Sequence, residues 1–241
     1  MTIIEKRNLV GSHYGFSGAR IRDLGATEYT LVAIAADKSG SVAGFASDIE
    51  RCIGAVVSSC RQSPRADNLM LRVCTFDDVL TEVHGFLPLP DCTARDYQGT
   101  ITDGGSTALY DAAKNAIASV DAYAQELVAQ GFTVNAIVFV ITDGADNASQ
   151  STCKSVGDAL AAARRGALES LNAVLVGVGV GEGAIADALQ AMQRDAGFSQ
   201  LVALAHADAR TLAGLAAFVS RSIAVQSRAL GSGAAGRTVG F

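Results

Sequence analysis

Residues 134–144 read Val-Asn-Ala-Ile-Val-Phe-Val-Ile-Thr-Asp-Gly, and this stretch decides the fold class. A run of β-branched and aromatic residues almost without polar alternation is typical of a central strand that helices cover on both faces. At Thr142 the apolar run gives way to oxygen-bearing side chains. The stretch therefore predicts a buried parallel strand whose carboxyl end is polar.

Further short apolar runs alternate with longer stretches in which apolar residues recur at spacings of three and four. This alternation is typical of βαβ units. It predicts a doubly wound, Rossmann-like α/β fold flanked by helices, with strands at 30–36, 69–76, 79–87, 134–142, 173–178 and 200–204.

Only Asp77 and Asp78 separate the second and third predicted strands. Because two residues cannot make a parallel crossover, these strands must form an antiparallel hairpin. The run at 79–87 alternates weakly, with Glu82 and His84 on one face, which suits an edge strand. We therefore expect a mostly parallel sheet with one antiparallel edge strand.

The pattern predicts one domain at 29–228, preceded by an N-terminal arm at 1–28 and followed by a Gly-rich, flexible tail at 229–241. The arm has no clear period, but Arg7, Tyr14 and Phe16 give it a basic and aromatic character. Three interpretations stay open for it: a solvated flank, docking on the domain, or docking on another copy in a homo-oligomer.

Composition narrows the possible partners. Of the 241 residues 49% are hydrophobic, and 19 basic against 24 acidic side chains give a net charge of −5. This balance offers no field that neutralises phosphates, so nucleic acid is not expected as a partner. The apolar runs are far shorter than the roughly 18 to 20 residues that cross a bilayer, so no membrane partner is expected either.

The sequence starts Met-Thr-Ile-Ile-Glu-Lys-Arg, with charge where a signal peptide would carry its apolar region. This start predicts a cytoplasmic protein.

Oxygen-bearing residues follow two predicted parallel strands and open one predicted helix. In open α/β sheets ligands bind beyond the carboxyl ends of the strands. Hydroxyls with one or two carboxylates suit Mg²⁺, which prefers six oxygen ligands and keeps some of its waters. The candidate ligands are Asp37, Ser39, Ser41, Thr107 and Asp143.

Three motifs carry a resemblance to a known family: Asp-x-Ser-x-Ser at 37–41, Gly-Gly-Ser-Thr-Ala-Leu-Tyr-Asp-Ala at 104–112 within a loop that begins at Asp103, and Thr-Asp-Gly at 142–144. Together they resemble the von Willebrand factor A (vWA) domain, over residues 29–228. The resemblance implies a metal-ion-dependent adhesion site (MIDAS) that binds Mg²⁺ or Mn²⁺.

In that site Ser39, Ser41 and Thr107 would match the hydroxyl ligands, and Asp37 and Asp143 the carboxylates, often acting through water. The resemblance further implies a scaffold or interaction module: an Asp or Glu of a partner protein completes the coordination, and no catalytic step is required.

Two other interpretations stay open. Asp37 after the first predicted strand would also suit a metal-dependent phosphoryl hydrolase, although the second carboxylate such an enzyme needs is replaced by Ser39. A purely structural subunit would use the same oxygens to cap helices and form turns. In either case Asp146 and Asn147 are expected to support their loop, and Thr107 can double as a helix cap.

Overall fold

The structure is a computed structural model of the chain. It describes residues 2–10, 12–62, 64–102, 104–206, 208–229 and 239–240, without the side chains of Phe45 and Ser59. Most of the predicted tail at 229–241 therefore lies outside the described residues, and so does Asp103, the start of the predicted glycine-rich loop.

Within the described ranges, one sheet of eight strands forms the centre of the fold. In chain order the strands are β1 (Ile4–Arg7), β2 (Phe16–Ala19), β3 (Glu28–Asp37), β4 (Leu69–Phe76), β5 (Leu80–Pro88), β6 (Thr133–Thr142), β7 (Leu171–Val178) and β8 (Gln200–Leu204). Across the sheet they lie in the order β1-β2-β5-β4-β3-β6-β7-β8. The strands β4, β3, β6, β7 and β8 are parallel to one another. Strand β5 is antiparallel to β4, and β1 is antiparallel to β2.

Helices cover both faces of the sheet. They are α1 (Ala46–Arg61), α2 (Leu109–Val128), α3 (Cys153–Arg165), α4 (Ala184–Ala196) and α5 (Ala209–Ala229). The helices α1 and α5 pack together over one face, while α2, α3 and α4 pack over the other. The described residues thus form two hydrophobic cores, one on each side of the sheet.

The sequence of the central strand β3 shows no polar alternation because both faces of the strand are buried. Leu31, Ala33 and Ala35 point into the core beneath α2, whereas Val32 and Ile34 point into the opposite core beneath α1 and α5. Fully burying each large apolar side chain contributes about 1.5–3 kcal/mol, so both faces of the strand must be apolar. The same holds for β6, which confirms that the run at 134–142 is a central strand.

The predicted fold class is confirmed, including the antiparallel pairing of β5 with β4. The place of β5 at the edge of the sheet is wrong, because β2 lies beside it with Gly18 opposite Phe86. Glu82, which suggested a solvent-facing edge, instead accepts hydrogen bonds from the Ser17 N–H at 3.1 Å and from the buried Arg72 guanidinium at 2.7 Å. On this side, the described part of the sheet ends at β1.

The described residues of the predicted arm, 2–10 and 12–28, pack against the domain, while docking on another copy stays a prediction. The Phe86 and Tyr123 rings stack with centroids 5.0 Å apart, and Phe16 meets both edge-on. The Arg7 guanidinium lies 4.9 Å from the Tyr123 ring centre and pairs with Glu126 at 2.8 Å. The arm therefore contributes two strands and part of one core.

In the part of the chain that the structure describes, none of the helices is both long enough and apolar enough to span a lipid bilayer.

Candidate metal centre

The five residues predicted to bind metal come from three segments that meet at one end of the sheet. They are Asp37 at the end of β3, Ser39 and Ser41 in the next loop, Thr107 shortly before α2, and Asp143 directly after β6. Because β3 and β6 are parallel neighbours, their carboxyl ends lie side by side. The structure brings the five residues together, and their role as ligands stays a prediction.

Asp37 is fully buried at the base of this site. Its Oδ1 accepts a hydrogen bond from the Ser39 N–H at 2.8 Å, and its Oδ2 accepts one from the Thr142 hydroxyl at 2.6 Å. Burial raises the pKa of Asp37, and the nearby charge of Asp143 adds to the rise, although the hydrogen bonds oppose it. The hydrogen bonds thus do not fully offset the effect of desolvation on the Asp37 carboxylate. A cation at the site would lower the pKa of Asp37.

Ser41 links the first loop to the second carboxylate. Its hydroxyl donates to Asp143 Oδ1 at 2.8 Å and lies 3.2 Å from the Ser39 hydroxyl. Desolvation also raises the pKa of the half-buried Asp143, partly offset by the bond from Ser41. Together with Asp37, these contacts form a hydrogen-bonded series of polar groups that crosses both loops.

Thr107 is held in place by the loop after β6. Its N–H donates to Asn147 Oδ1 at 2.7 Å, and its carbonyl accepts from the N–H groups of Asn147 and Ala148 at 3.0 and 3.2 Å. A Cβ added to Gly144 would lie 3.8 Å from Thr107 Oγ1, so the hydroxyl lies near the loop that carries Asp143. Asn147 supports the loop, as the sequence predicted.

The first turn of α2 is capped by the same loop. Asp146 Oδ1 accepts a hydrogen bond from the Tyr110 N–H at 3.1 Å. The expectation that Thr107 caps this helix is wrong, because the residue at the N-cap is Ala108, which has no side-chain acceptor. Asp146 takes over the capping, so the Thr107 hydroxyl is not needed for it.

Sequence reasoning missed three residues around the site. Thr142 binds Asp37 directly, as described above. Lys38 and Asp77 form an ion pair with Nζ and Oδ2 2.6 Å apart, and both side chains are largely buried. Opposite charges at the ends of the neighbouring strands β3 and β4 are the signal that could have indicated this pair.

The donor set fits a hard divalent cation. Two carboxylates balance a 2+ charge, and neutral hydroxyls leave the ion able to accept a further oxygen ligand. Within the described ranges there is no group of three or more His, Cys, Asp or Glu side chains that could hold a metal. The donors at this site are instead two carboxylates and three hydroxyls, a set typical of Mg²⁺ or Mn²⁺ rather than of thiolate or imidazole sites.

No protein-family model matches the sequence, and no curated protein matches it. Solved structures do. Proximal thread matrix protein 1 from the mussel byssus is 19% identical over 83% of this chain and 47% of its own, with a TM-score of 0.59. A further structure of that protein is described as having a zinc-occupied MIDAS motif.

Two bacterial structures are similar to a comparable degree. The PilB minor pilin of Streptococcus sanguinis has a TM-score of 0.60 at 11% identity, over 83% of this chain and 62% of its own. The pilus adhesin SpaC of Lactobacillus rhamnosus GG has a TM-score of 0.62 at 8% identity, over 83% of this chain and 31% of its own.

This chain spans less than two thirds of the length of each of these three proteins, and at these identities the likeness concerns the fold alone. That fold is vWA-like.

Proposed function

We propose that this chain is a divalent-cation-dependent protein-interaction module. Asp37, Ser39, Ser41, Thr107 and Asp143 would hold Mg²⁺ or Mn²⁺, and an Asp or Glu of a partner protein would complete the coordination. The observation that carries the proposal is the buried Asp37 carboxylate, with its raised pKa, beside a second carboxylate and a set of hydroxyls.

The chemistry of the donors supports an acidic partner. A divalent ion with two carboxylates and three neutral hydroxyls would have no net charge, so an anionic oxygen from outside would not be repelled and could fill a remaining coordination position. The zinc-occupied MIDAS described for the mussel protein supports a metal at the equivalent place in a vWA-like fold.

The alternative function, a phosphoryl hydrolase that uses Asp37, has less support. A carboxylate nucleophile must reach the phosphorus atom. Asp37 is fully buried, and both of its oxygens already accept hydrogen bonds. We therefore propose a module that binds and does not catalyse.

Selection from a displayed random-peptide library tests the proposal without knowledge of the natural partner. The immobilised protein is incubated with the library in Mg²⁺, and bound peptides are eluted with EDTA. We expect the eluted peptides to share an Asp or Glu at a fixed position, because that side chain completes the coordination of the ion.

The Asp37→Ala variant is the matched control. It should yield no EDTA-eluted enrichment while its circular dichroism spectrum stays that of the parent. Enrichment of peptides without an acidic residue, or equal enrichment by the variant, would contradict the proposal. Mg²⁺-dependent release of phosphate from p-nitrophenyl phosphate that is lost in Asp37→Ala would favour the hydrolase instead.

The cytoplasmic location and the absence of nucleic-acid and membrane partners stay predictions from the sequence. A homo-oligomer likewise stays a prediction from the sequence.

A further inference from the structure

The site predicted from the sequence does not include the ion pair between Lys38 and Asp77. Lys38 lies between Asp37 and Ser39, and Asp77 forms the turn that joins β4 to β5. The Nζ and Oδ2 atoms are 2.6 Å apart, with exposed side-chain fractions of 14% and 9%. An ion pair at this level of burial is costly to break from one side, because the remaining charge stays desolvated.

Asp77 also holds the loop that carries Thr107. Its backbone carbonyl accepts a hydrogen bond from the Ala108 N–H at 2.7 Å, directly after Thr107. Its carboxylate lies against Gly104, where an added Cβ would collide with Oδ2. The turn is therefore in contact with both ends of the segment 104–108.

The segment 104–108 also touches the first loop. Ser39 forms a parallel bridge with Gly104, and the Gly40 N–H donates to the Gly105 carbonyl at 3.4 Å. The Lys38 N–H donates to the Phe76 carbonyl at 2.8 Å, one residue before Asp77. Three separate segments, at 37–41, 76–78 and 104–108, are thus joined at this point.

The carboxylate of Asp77 is fixed by further contacts. Its Oδ1 accepts a hydrogen bond from the Val79 N–H at 2.8 Å. Burial by itself would raise the pKa of Asp77, but the hydrogen bonds from Lys38 and Val79 and the charge of Lys38 lower it below its ordinary value. The carboxylate is therefore ionised and paired at neutral pH.

We infer that Lys38 and Asp77 are positioning residues of the metal centre: their ion pair fixes the turn at 76–78, and this turn holds Thr107 against the Asp37 loop. The inference rests on the proposed function. It adds a fourth chain segment to the three that supply ligands, and it assigns a role to the residue between the first two positions of the Asp-x-Ser-x-Ser motif.

Two roles of the pair lead to opposite results on mutation. If the pair acted through its charges alone, Lys38→Met would strengthen Mg²⁺ binding by removing a positive charge near the ion, Asp77→Asn would weaken it, and the double variant would resemble the parent. If the pair positions Thr107, both single variants weaken binding by about tenfold, the usual range for groups behind the metal ligands. The double variant is then no weaker than the single ones, because the contact is already lost.

Isothermal titration with MgCl₂ on the four proteins separates these cases. The control is Lys154→Met, which removes a Lys–Asp contact of 2.7 Å in an exposed pair on α3 and should leave the affinity unchanged. Unchanged or tighter binding by Lys38→Met would overturn the inference.

A pair of glycine variants tests the same contact without removing a charge. Gly104→Ala forces its Cβ against the pinned Asp77 carboxylate, whereas Gly105→Ala meets the exposed Asp78 carboxylate, which can turn into solvent. We expect a weaker Mg²⁺ affinity for Gly104→Ala and close to parental affinity for Gly105→Ala. Equal affinities for the two would contradict the role of Asp77.

Amide hydrogen exchange in metal-free protein distinguishes failure of this inference from failure of the proposed function. In Lys38→Met, the peptide that covers 104–108 should exchange about tenfold faster than in the parent, because the Ala108 N–H loses its fixed acceptor. Unchanged exchange would overturn the anchoring role whether or not the parent binds Mg²⁺. Faster exchange together with a parent that binds no Mg²⁺ would uphold the anchor and reject the metal function.

Discussion

The central strands β3 and β6 have a polar cluster at each end, and the two clusters are satisfied in opposite ways. At the amino ends of β3 and β6, the Thr30 hydroxyl donates to Asn135 Oδ1 and the Asn135 amide donates to the Gln226 carbonyl, both at 2.8 Å. The Gln226 amide in turn donates to the Ala136 carbonyl at 3.1 Å. We call this group the amide cluster. At the carboxyl ends, Asp37 and Asp143 form the carboxylate cluster.

The two clusters differ in their charge and in how fully their polar groups are hydrogen-bonded. The members of the amide cluster are neutral, buried and bonded to one another, as a structural network requires. The carboxylate cluster holds two acidic groups whose pKa values are raised by desolvation. Unfavourable charge of this kind persists in folded chains where a ligand uses it. The first cluster therefore stabilises the fold, whereas the second holds desolvated charge that a cation, under the proposed function, would offset.

The largest change in stability is expected at the amide cluster. Gln226→Leu removes buried hydrogen bonds to the Ala136 carbonyl and the Ser170 hydroxyl. The free energy of unfolding should fall by about 3 kcal/mol, measured by urea denaturation, because buried polar groups lose their partners. Mg²⁺ affinity should stay that of the parent. The exposed Gln130→Leu is the control, and a loss of Mg²⁺ binding in Gln226→Leu would break the distinction between the clusters.

At the carboxylate cluster we expect a substitution to raise the free energy of unfolding rather than lower it. Asp37→Asn keeps an acceptor for the Ser39 N–H and removes the desolvated charge, so the metal-free protein should become more stable by on the order of 1 kcal/mol at pH 7. Thermal unfolding in EDTA measures this change. Destabilisation of the metal-free variant would show that the carboxylate serves the fold itself.

The pH dependence of stability tests the same difference between the two clusters. The pKa of Asp37 is raised in the folded protein above the ordinary value of 3.8, so its protonation favours folding. The stability that Asp37 contributes is present at acidic pH and is lost as the pH rises through its folded pKa. The advantage of Asp37→Asn over the parent in EDTA should therefore vanish in acid and grow toward neutral pH. An advantage that is constant with pH would reject titration of Asp37 as its cause.

The smallest change in stability is expected for Ser41→Ala. Ser41 is exposed, and its hydroxyl contacts only Asp143 Oδ1 and the Ser39 hydroxyl among the described hydrogen bonds, so the free energy of unfolding should change by less than about 0.5 kcal/mol. The affinity for Mg²⁺ should nevertheless fall about tenfold, because the proposed site would lose one of its ligands. Calorimetric titration against Ser47→Ala, an exposed serine in α1, checks this split.

The sequence alone was sufficient to predict the parts of the molecule in which the type of each residue reflects its own burial. The apolar runs of β3 and β6 predicted buried central strands, and the recurrence of apolar residues at spacings of three and four predicted helices between the strands. The candidate site followed because the ends of parallel strands must meet, which places Asp37 beside Asp143 without knowledge of side-chain contacts.

The missed features depend on contacts between distant segments. The strand β1 reads Ile-Glu-Lys-Arg, which has too much charge to predict a strand, and it is stabilised by pairing with β2. The prediction of β5 as an edge failed because Glu82 is satisfied by Ser17 and Arg72, from two other strands. The Lys38–Asp77 pair joins residues 39 positions apart, so it can be predicted only when β3 and β4 are taken as neighbouring strands with opposite charges at their ends.

The most direct test of the account is calorimetric titration of MgCl₂ into EDTA-stripped and dialysed protein, parent and Asp37→Asn side by side. The account predicts one Mg²⁺ per chain for the parent and no measurable binding for the variant, which remains folded. Absence of binding by the parent, or equal binding by both proteins, would contradict it.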